Sequence, residues 1–357
     1  MGQDERMIPP GETIGILGGG QLGRMIALAA ACLGYRCHVY APEADSIAAD
    51  VCAGFTCAGW DDAEALAGFA AQCAVVTYEF ENVPVGPLAA LGAAPLHPGT
   101  RSLEVAQDRA AEKRFVEALG GRPAPWATVD SAEDLAAAIA GIGMPGILKT
   151  RRDGYDGKGQ WRIMTPADAD ALELPDAALV YEGFVRFDAE FSVILVRGAD
   201  GDVRFWDSAQ NAHKAGILSQ SVVPAGEAVR AQVGAARALA KQVADALGHV
   251  GVLTLEFFAT AEGPVFNEMA PRVHNSGHWT IEGALTSQFE NHVRAICGLP
   301  LGSTALCAAG VVMDNLIGDE AHDWPALLSD PANHLHLYGK AAVRAGRKMG
   351  HVTRLVL

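Results

Sequence analysis

"GVLTLEFFATAEGPVFNEMA", residues 251–270, is two apolar runs around a short polar break. The pattern predicts a β-hairpin. With the turn centred on Glu262, Glu256 falls opposite Glu268. Directly opposed residues on one sheet face have Cβ atoms about 4.5–5.5 Å apart, and like charges there repel. A chain tolerates this where a cation sits between the two groups. Two carboxylates completed by substrate phosphates are a usual magnesium site. Asn267 is next in the chain, though strand alternation points it to the other face unless the strand twists or bulges. The alternative is an exposed edge with both carboxylates in water. The apolar residues on either side argue against a free surface.

Upstream lies "TRRDGYDGKGQ", residues 150–160, which packs three glycines and the cations Arg151, Arg152 and Lys158 into eleven residues. Ordering glycine costs more backbone entropy than ordering any other residue, so such a loop needs a reason. The strands "GILKT" and "QWRIM" flank it and predict a second hairpin with this loop as its tip. Lys149 ends the first of these strands and can aim a point charge at a phosphate. "YEGFVRFDAE" then reads as a strand entering a hinge. Its backbone can meet an adenine edge, and Glu190 can accept from ribose hydroxyls.

The first hundred residues alternate strand and helix ("TIGIL", "QLGRMIALAAACLG", "YRCHVYA", "DDAEALAGFAAQ", "AVVTYEF"), which implies a parallel sheet with crossover helices. "ILGGGQLGRM" carries Gly18-x-Gly20-x-x-Gly23 between strand and helix, with Glu43 twenty residues further on. That is the dinucleotide fingerprint. The physics is less specific, because glycine lets backbone approach any phosphate at a helix N-terminus. A nicotinamide cofactor, another phosphate ligand and a purely structural turn all remain open. Beyond, "SLEVAQDRAAEKRFVEALG" predicts one long helix and "EAVRAQVGAARALAKQVADALG" another of about 22 residues. "EFSVILVRG" and "DVRFWDSAQN" predict neighbouring antiparallel strands. The tail "HLHLYGKAAVRAGRKMGHV" is strand-like and basic.

Half of the 357 residues are hydrophobic and the formal net charge is −15. The chain is therefore globular, and its field repels nucleic acid and anionic membranes outside local basic patches. Its seven cysteines include no C-x-x-C pair, which fits buried thiols in a reducing compartment. The Met-Gly start lacks a myristoylation pattern because Arg6 stands at its hydroxyl position. No apolar run reaches the ~20 residues of a membrane span. A cytoplasmic protein is expected. His274 and His278 have the i, i+4 spacing of a metal pair, but Asn-Ser-Gly between them disfavours a helix.

Taken together, "GILGGGQLGRM", "TYEFENV", "RRDGYDGKGQ", "NEMAPRVHNSGHWT" and "SQFENHVRAICGLPL" resemble the ATP-grasp superfamily and, within it, the N5-carboxyaminoimidazole ribonucleotide synthetase family, from about residue 13 to the end. The resemblance implies an α/β fold (α+β overall) in three domains. These are a Rossmann-like parallel-sheet domain over 1–108, a small lid domain over 109–185 and a large domain over 186–357. It implies a carbon–nitrogen ligase that couples ATP, bicarbonate and 5-aminoimidazole ribonucleotide, with Mg²⁺ (Mn²⁺ as substitute), in a homodimer with no nucleic-acid or membrane partner.

By the same resemblance, ATP would be held by Arg109, Lys149, the loop Gly154, Tyr155, Asp156, Gly157, Lys158, Gly159 and Gln160, the hinge Glu182, Gly183, Phe184 and Val185, and Glu190, His213, Asn267 and Glu268. Glu256 and Glu268 would hold the metal. The ribonucleotide would meet Gly20, Gln21, Leu22, Glu79, Asn82 and Tyr155. His274, Asn275 and Lys340, with Arg347 and Lys348, would form the bicarbonate and substrate-phosphate corner. Asp156, Lys158 and Arg272 would act on the reacting groups. Asp153 departs from the family, which more often has glycine there. Arg186 departs too, where proline is common. Related ATP-grasp ligases using formate or amino acids, and a non-catalytic nucleotide sensor, are the alternatives.

Overall fold

The computed structural model describes residues 7–154 and 158–357. Three sheets organise them. The first is parallel and carries β1 (Thr13–Leu17), β2 (Arg36–Ala41), β3 (Gly54–Cys57) and β4 (Val75–Tyr78) in the order β3-β2-β1-β4. β3 comes from "GFTC", which is too short and polar to read as a strand from pattern alone. The second sheet is antiparallel, with β5 (Trp126–Val129), β6 (Gly146–Thr150), β7 (Gln160–Ile163) and β8 (Leu179–Gly183) in the order β5-β8-β6-β7.

The third sheet has nine strands. These are β9 (Ala189–Arg197), β10 (Val203–Phe205), β11 (Ala209–Lys214), β12 (Ile217–Val223), β13 (Gly251–Thr260), β14 (Gly263–Ala270), β15 (Gly310–Ile317), β16 (Asn333–Leu337) and β17 (Lys348–Val356). β14-β13-β9-β11-β12-β15-β17-β16 form the path, and β10 pairs with β9 outside it.

Alternation along β9 and β13 sorts the large sheet into two faces. Phe191, Val193, Leu195, Leu253, Leu255 and Phe257 point one way and pack on Ala236, Ala240 and Val243 of the helix Val233–Leu247. On the opposite face, Ile194, Val196 and Val252 join one apolar cluster with Val293 and Ile296 of the helix Gln288–Ile296 and with Ile14, Ile16, Met25 and Ile26 of the first unit. The same face turns polar further along, with Glu190, Ser192, Thr254 and Glu256. The first unit is thus docked against the apolar end of a face whose other end carries charge. The cleft lies between them.

Two expected long helices are broken. The stretch 102–120 forms the helices Thr100–Ala106 and Arg109–Ala118. Asp108 divides them, because its carboxylate accepts from the N–H groups of Ala110 and Ala111 at 2.9 and 3.1 Å and so caps the second helix. The stretch 227–248 likewise forms Glu227–Arg230 and Val233–Leu247. "DVRFWDSAQN" contributes to two strands, β10 and β11, with Trp206 fully buried between them. The basic tail is strand only at its ends, in β16 and β17. Among the described residues no helix is long and apolar enough to cross a membrane.

Asp108 also receives Arg151 Nη2 at 2.7 Å, which ties the capped helix to the residue that follows β6. Replacing Asp108 by Ala should cost about 1–2 kcal/mol from the lost cap. A urea melt in which this variant matches the parent would show that the cap contributes nothing.

Candidate active site

The hairpin β13–β14 faces Glu256 with Glu268. The local reason differs from a symmetric turn. Thr260 pairs with Gly263, and Phe257 with Phe266, so the turn centre lies between Ala261 and Glu262. A β-bulge between Glu256 and Phe257 then shifts the register by one residue, leaving Asn267 as the extra residue and bringing Glu268 opposite Glu256. In a bulge two residues oppose one. Asn267 and Glu268 therefore share the space across from Glu256.

The two carboxylates have unlike environments. Burial, with Glu268 as the next cause, pushes Glu256 up to about 7. Glu268 keeps 41% of its side chain open within the cleft, and Arg109 Nη1 donates to its Oε2 at 2.9 Å. Burial acts upward on Glu268 as well, but Arg109 outweighs it and holds the group down at about 2. Arg109 is the first residue of the helix capped by Asp108, so the helix break is what aims it. Its Nη2 also donates to the Gly154 carbonyl at 3.3 Å.

His274 Nε2 stands 3.3 Å from Glu256 Oε1, and burial pushes its pKa down to about 3, so the ring is neutral. His213 Nδ1 lies 2.5 Å from Glu190 Oε2. Burial works against a charge on His213, but Glu190, Glu256 and Glu268 prevail and raise its pKa. Lys149 Nζ donates to Glu182 Oε2 at 2.9 Å, and Lys113 Nζ sits 3.1 Å from Glu182 Oε1. Burial opposes ionising Glu182, yet the two lysines hold it at about 2. Its carboxylate is thus committed to lysines.

On the first unit, Gly20 N–H and Gly23 N–H donate to Glu79 Oε1 and Oε2 at 2.7 and 3.1 Å. An internal carboxylate therefore occupies the helix N-terminus that a pyrophosphate would take, which overturns the dinucleotide alternative. The glycines follow from packing. A Cβ on Gly20 would stand 2.6 Å from Glu79 Oε1, and one on Gly19 would stand 2.1 Å from Ser46 Oγ. Arg272 is ion-paired with Glu81 through Nε and Nη2.

A cavity of about 400 Å³ joins these groups. Its wall includes Gln21, Leu22, Asn82, Arg109, Gly154, Glu256, Glu268, Arg272, His274, Asn275 and Lys348. Lys149, Glu182 and Gly183 sit on β6 and β8, Phe184 and Val185 follow β8, and Glu190 and His213 sit on β9 and β11, all outside that wall. Lys340 Nζ donates to the Lys348 carbonyl at 2.7 Å and Arg347 Nη1 to the Ala342 carbonyl at 2.8 Å, so both brace the tail loop instead of lining the cavity. Lys158 and Gln160 are exposed, and Gly159 adopts φ 67°. Tyr155, Asp156 and Gly157 lie outside the described residues.

Several residues escaped sequence reasoning, namely Glu81 and Glu112 in the cavity wall and Asp108 and Lys113 outside it; Arg151, singled out in the loop, also lines the wall. For Glu112 and Lys113 a signal existed. They stand three and four residues after Arg109, on one helix face, and a charged stripe on a buried helix marks a site.

Three family models match in chain order. They are a ribonucleotide synthetase preATP-grasp domain over residues 11–107, an ATP-grasp domain over 114–289 and a phosphoribosylaminoimidazole carboxylase C-terminal domain over 311–356. The N5-carboxyaminoimidazole ribonucleotide synthase of Brucella melitensis is 49% identical over 99% of this chain and 98% of its own length. The chain belongs to the N5-carboxyaminoimidazole ribonucleotide synthase family. It is accordingly an ATP-grasp ligase of purine biosynthesis. The synthase of Pseudomonas aeruginosa is 45% identical over 95% of this chain and 93% of its own. Among solved structures, the synthetase from Thermus thermophilus superposes with TM-score 0.89 at 48% identity, covering 96% of this chain and 93% of that one. The Aspergillus clavatus synthase, solved with ADP and 5-aminoimidazole ribonucleotide, gives TM-score 0.88 at 30% identity, covering 97% and 94%.

Replacing Glu182 by Gln should cost this synthase about 3–5 kcal/mol at pH 7, because two buried lysines lose their counter-charge. Glu182 sits below its ordinary 4.5, so its stabilisation is full above about pH 4.5 and fades as pH falls toward 2. The gap between parent and variant in urea midpoints should therefore narrow from pH 7 to pH 3. A gap that widens on acidification would contradict the assignment.

Proposed function

We propose that the cleft joins ATP, bicarbonate and 5-aminoimidazole ribonucleotide through carboxyphosphate, with Mg²⁺ held by Glu256 and Glu268. The observation that carries this is the opposed carboxylate pair flanked by Arg109 and, deeper, Lys149. The pair fits a hard divalent cation. Both donors are oxygens, their mutual repulsion is what a cation relieves, and Asn267 adds an amide across the bulge. Among the described residues no set of three or more His, Cys, Asp or Glu is arranged as a metal cage, as suits a cation completed by phosphates. When bound, Mg²⁺ (or Mn²⁺) supplies charge neutralisation on the transferring phosphoryl group.

The protein groups then have defined tasks. Arg109 and Lys149 bring fixed positive charge to the phosphates, and the strand end Glu182–Val185 offers backbone to adenine. Glu190, held by His213, is placed for ribose hydroxyls. Bicarbonate is a poor electrophile. Attack of its oxygen on the γ-phosphorus expels ADP and gives carboxyphosphate. The exocyclic amine of the ribonucleotide then attacks the carboxyl carbon, inorganic phosphate leaves and the amine loses a proton. Arg272, His274 and Asn275 would hold the carboxyl group, Gln21, Leu22 and Asn82 the ribonucleotide, and Lys348 its phosphate. Asp156 is the proposed proton acceptor, with Tyr155 and Lys158 reaching from the same loop. Because carboxyphosphate is labile in water, the 154–160 loop would act as a lid over it.

The domain limits 1–108, 109–185 and 186–357, a homodimer and a cytoplasmic location complete this reading on the strength of the family resemblance.

Replacing Glu268 by Gln should abolish ADP release, since an amide is a poorer ligand for Mg²⁺. Normal ADP release by that variant would remove the metal assignment. Truncating Lys348 to Ala should raise the KM for the ribonucleotide by about tenfold or more while the KM for ATP changes little. Labelled bicarbonate recovered in the product, with ADP release stimulated by the ribonucleotide, tests the reaction itself.

A further inference from the structure

A file of buried polar side chains runs beneath the carboxylate pair and ends on His274. Ser221 Oγ donates to Asn211 Oδ1 at 2.8 Å, and Asn211 Nδ2 donates to Ser192 Oγ at 2.7 Å. The Ser192 and Ser276 hydroxyls lie 2.8 Å apart, and Ser276 Oγ is 2.8 Å from His274 Nδ1. Ser192, Ser221 and Ser276 are fully buried and Asn211 is 7% exposed. The file crosses β12, β11 and β9 before reaching the turn after β14. Such depth is more than a single serine needs to satisfy its hydroxyl.

The bonds have a direction. The Ser276 N–H points at His274 Nδ1 from 3.3 Å, so that nitrogen presents a lone pair. The Ser276 hydroxyl, 2.8 Å away, must then donate to it. Hydroxyl protons rotate, so the Ser276–Ser192 contact can run either way; with the Ser276 proton spent on Nδ1, its oxygen accepts from Ser192, whose own oxygen accepts the Asn211 amide proton. Every proton in the file points toward His274, whose remaining proton stands on Nε2, 3.3 Å from Glu256 Oε1. A turn of the ring about Cβ–Cγ would forfeit both Ser276 contacts, and Gln288 holds the His274 backbone in place on both sides, accepting its N–H at 2.9 Å and donating to its carbonyl at 2.6 Å. The opposite tautomer would set an N–H against the Ser276 N–H and a lone pair against the Glu256 carboxylate.

We propose that Ser276 and Asn211, acting through Ser192, are positioning residues that fix His274 with its proton on Nε2, so that an N–H donor faces Glu256 and the substrate corner. The proposal rests on the reading of His274 as part of that corner. The donor orients the Glu256 carboxylate, and outer-shell partners of this kind commonly control ligand geometry.

The test is direct. In enzyme labelled with ¹⁵N-histidine, two-bond ¹H–¹⁵N spectra report which ring nitrogen carries the proton, and the His274 pattern is the one lost in His274→Gln. The parent should show Nε2 protonated and Nδ1 bare, a measurement that needs no folded variant. Ser276→Ala removes the donor to Nδ1. Asn211→Asp is close in shape but turns the far end of the file from donor to acceptor. Both should shift His274 toward Nδ1–H and lower kcat for ribonucleotide-dependent ADP release about tenfold. The KM for ATP should stay within about twofold. A parent ring protonated on Nδ1, or on both nitrogens, overturns the proposal. So do variants that keep the Nε2 tautomer, or that change it with kcat intact. Normal turnover by His274→Gln would instead remove the substrate-corner reading, whatever the tautomer.

Discussion

Two like charges held on one sheet face are the constraint around which this molecule is arranged. Glu256 and Glu268 meet because β13 and β14 pair across a bulge, and neither can leave without undoing the hairpin. Their repulsion is answered from three directions. Arg109 comes from a helix N-terminus, His274 from the turn after β14, and His213, bound to Glu190, from β11. Each depends on a separate local device. Arg109 depends on the helix break at Asp108, His274 on the clamp of Gln288, and His213 on the pairing of β11 with β9. The site is therefore a convergence of backbone decisions made far apart in the chain.

The sheet itself explains why the convergence occurs where it does. Period-two alternation gives β9 and β13 one wholly apolar face, buried against the helix Val233–Leu247. The other face changes character along its length. Its apolar end buries Ile194, Val196 and Val252 against the first unit, a contact of about 1.5–3 kcal/mol for each side chain fully removed from water. Its polar end is left at the mouth between units. Docking and chemistry thus share one face, and the docking end fixes the distance at which Gln21, Leu22 and Asn82 confront the carboxylates.

Much of this was legible in the residues, and where it was not the causes are physical. The facing glutamates were readable, but through a turn centre half a residue off that a bulge at Asn267, open in the sequence only as an alternative, corrected. A bulge has no sequence signature here, since neither Phe266 nor Asn267 is a glycine. The glycines of "ILGGGQLGRM" were legible as a close backbone approach. What approaches is an internal carboxylate, Glu79, about sixty residues away, and no local pattern reveals such a partner. The long helix of 102–120 failed because apolar periodicity runs through Gln107-Asp108 unchanged, while capping by Asp108 overrides it. Glu81, Glu112 and Lys113 stayed hidden for a common reason. A lone charge in sequence is usually solvated, and only tertiary pairing distinguishes it.

The pairing pattern bears on how an anionic protein takes an anionic substrate. With a net charge of −15 the chain repels triphosphate at a distance. The cleft does not answer with bare cations. Arg109 lies on Glu268, Lys149 on Glu182, Arg151 on Asp108 and Arg272 on Glu81. Each of these four cations is already held in place by a carboxylate. A phosphate therefore enters by competing for an oriented donor and not by condensing on a free one. Competition lowers raw affinity, because the internal pair must be loosened. It also spares the side-chain entropy of ordering four long cations at the moment of binding. The arrangement favours ligands that bring their own counter-charge. In the proposed reaction, a nucleotide carrying a divalent cation would neutralise Glu268 while its phosphates took over Arg109. A bare anion of the same shape can only displace one negative group with another, so under the proposed function the carboxylate pair and its cations would select for the metal-bound nucleotide as a single unit.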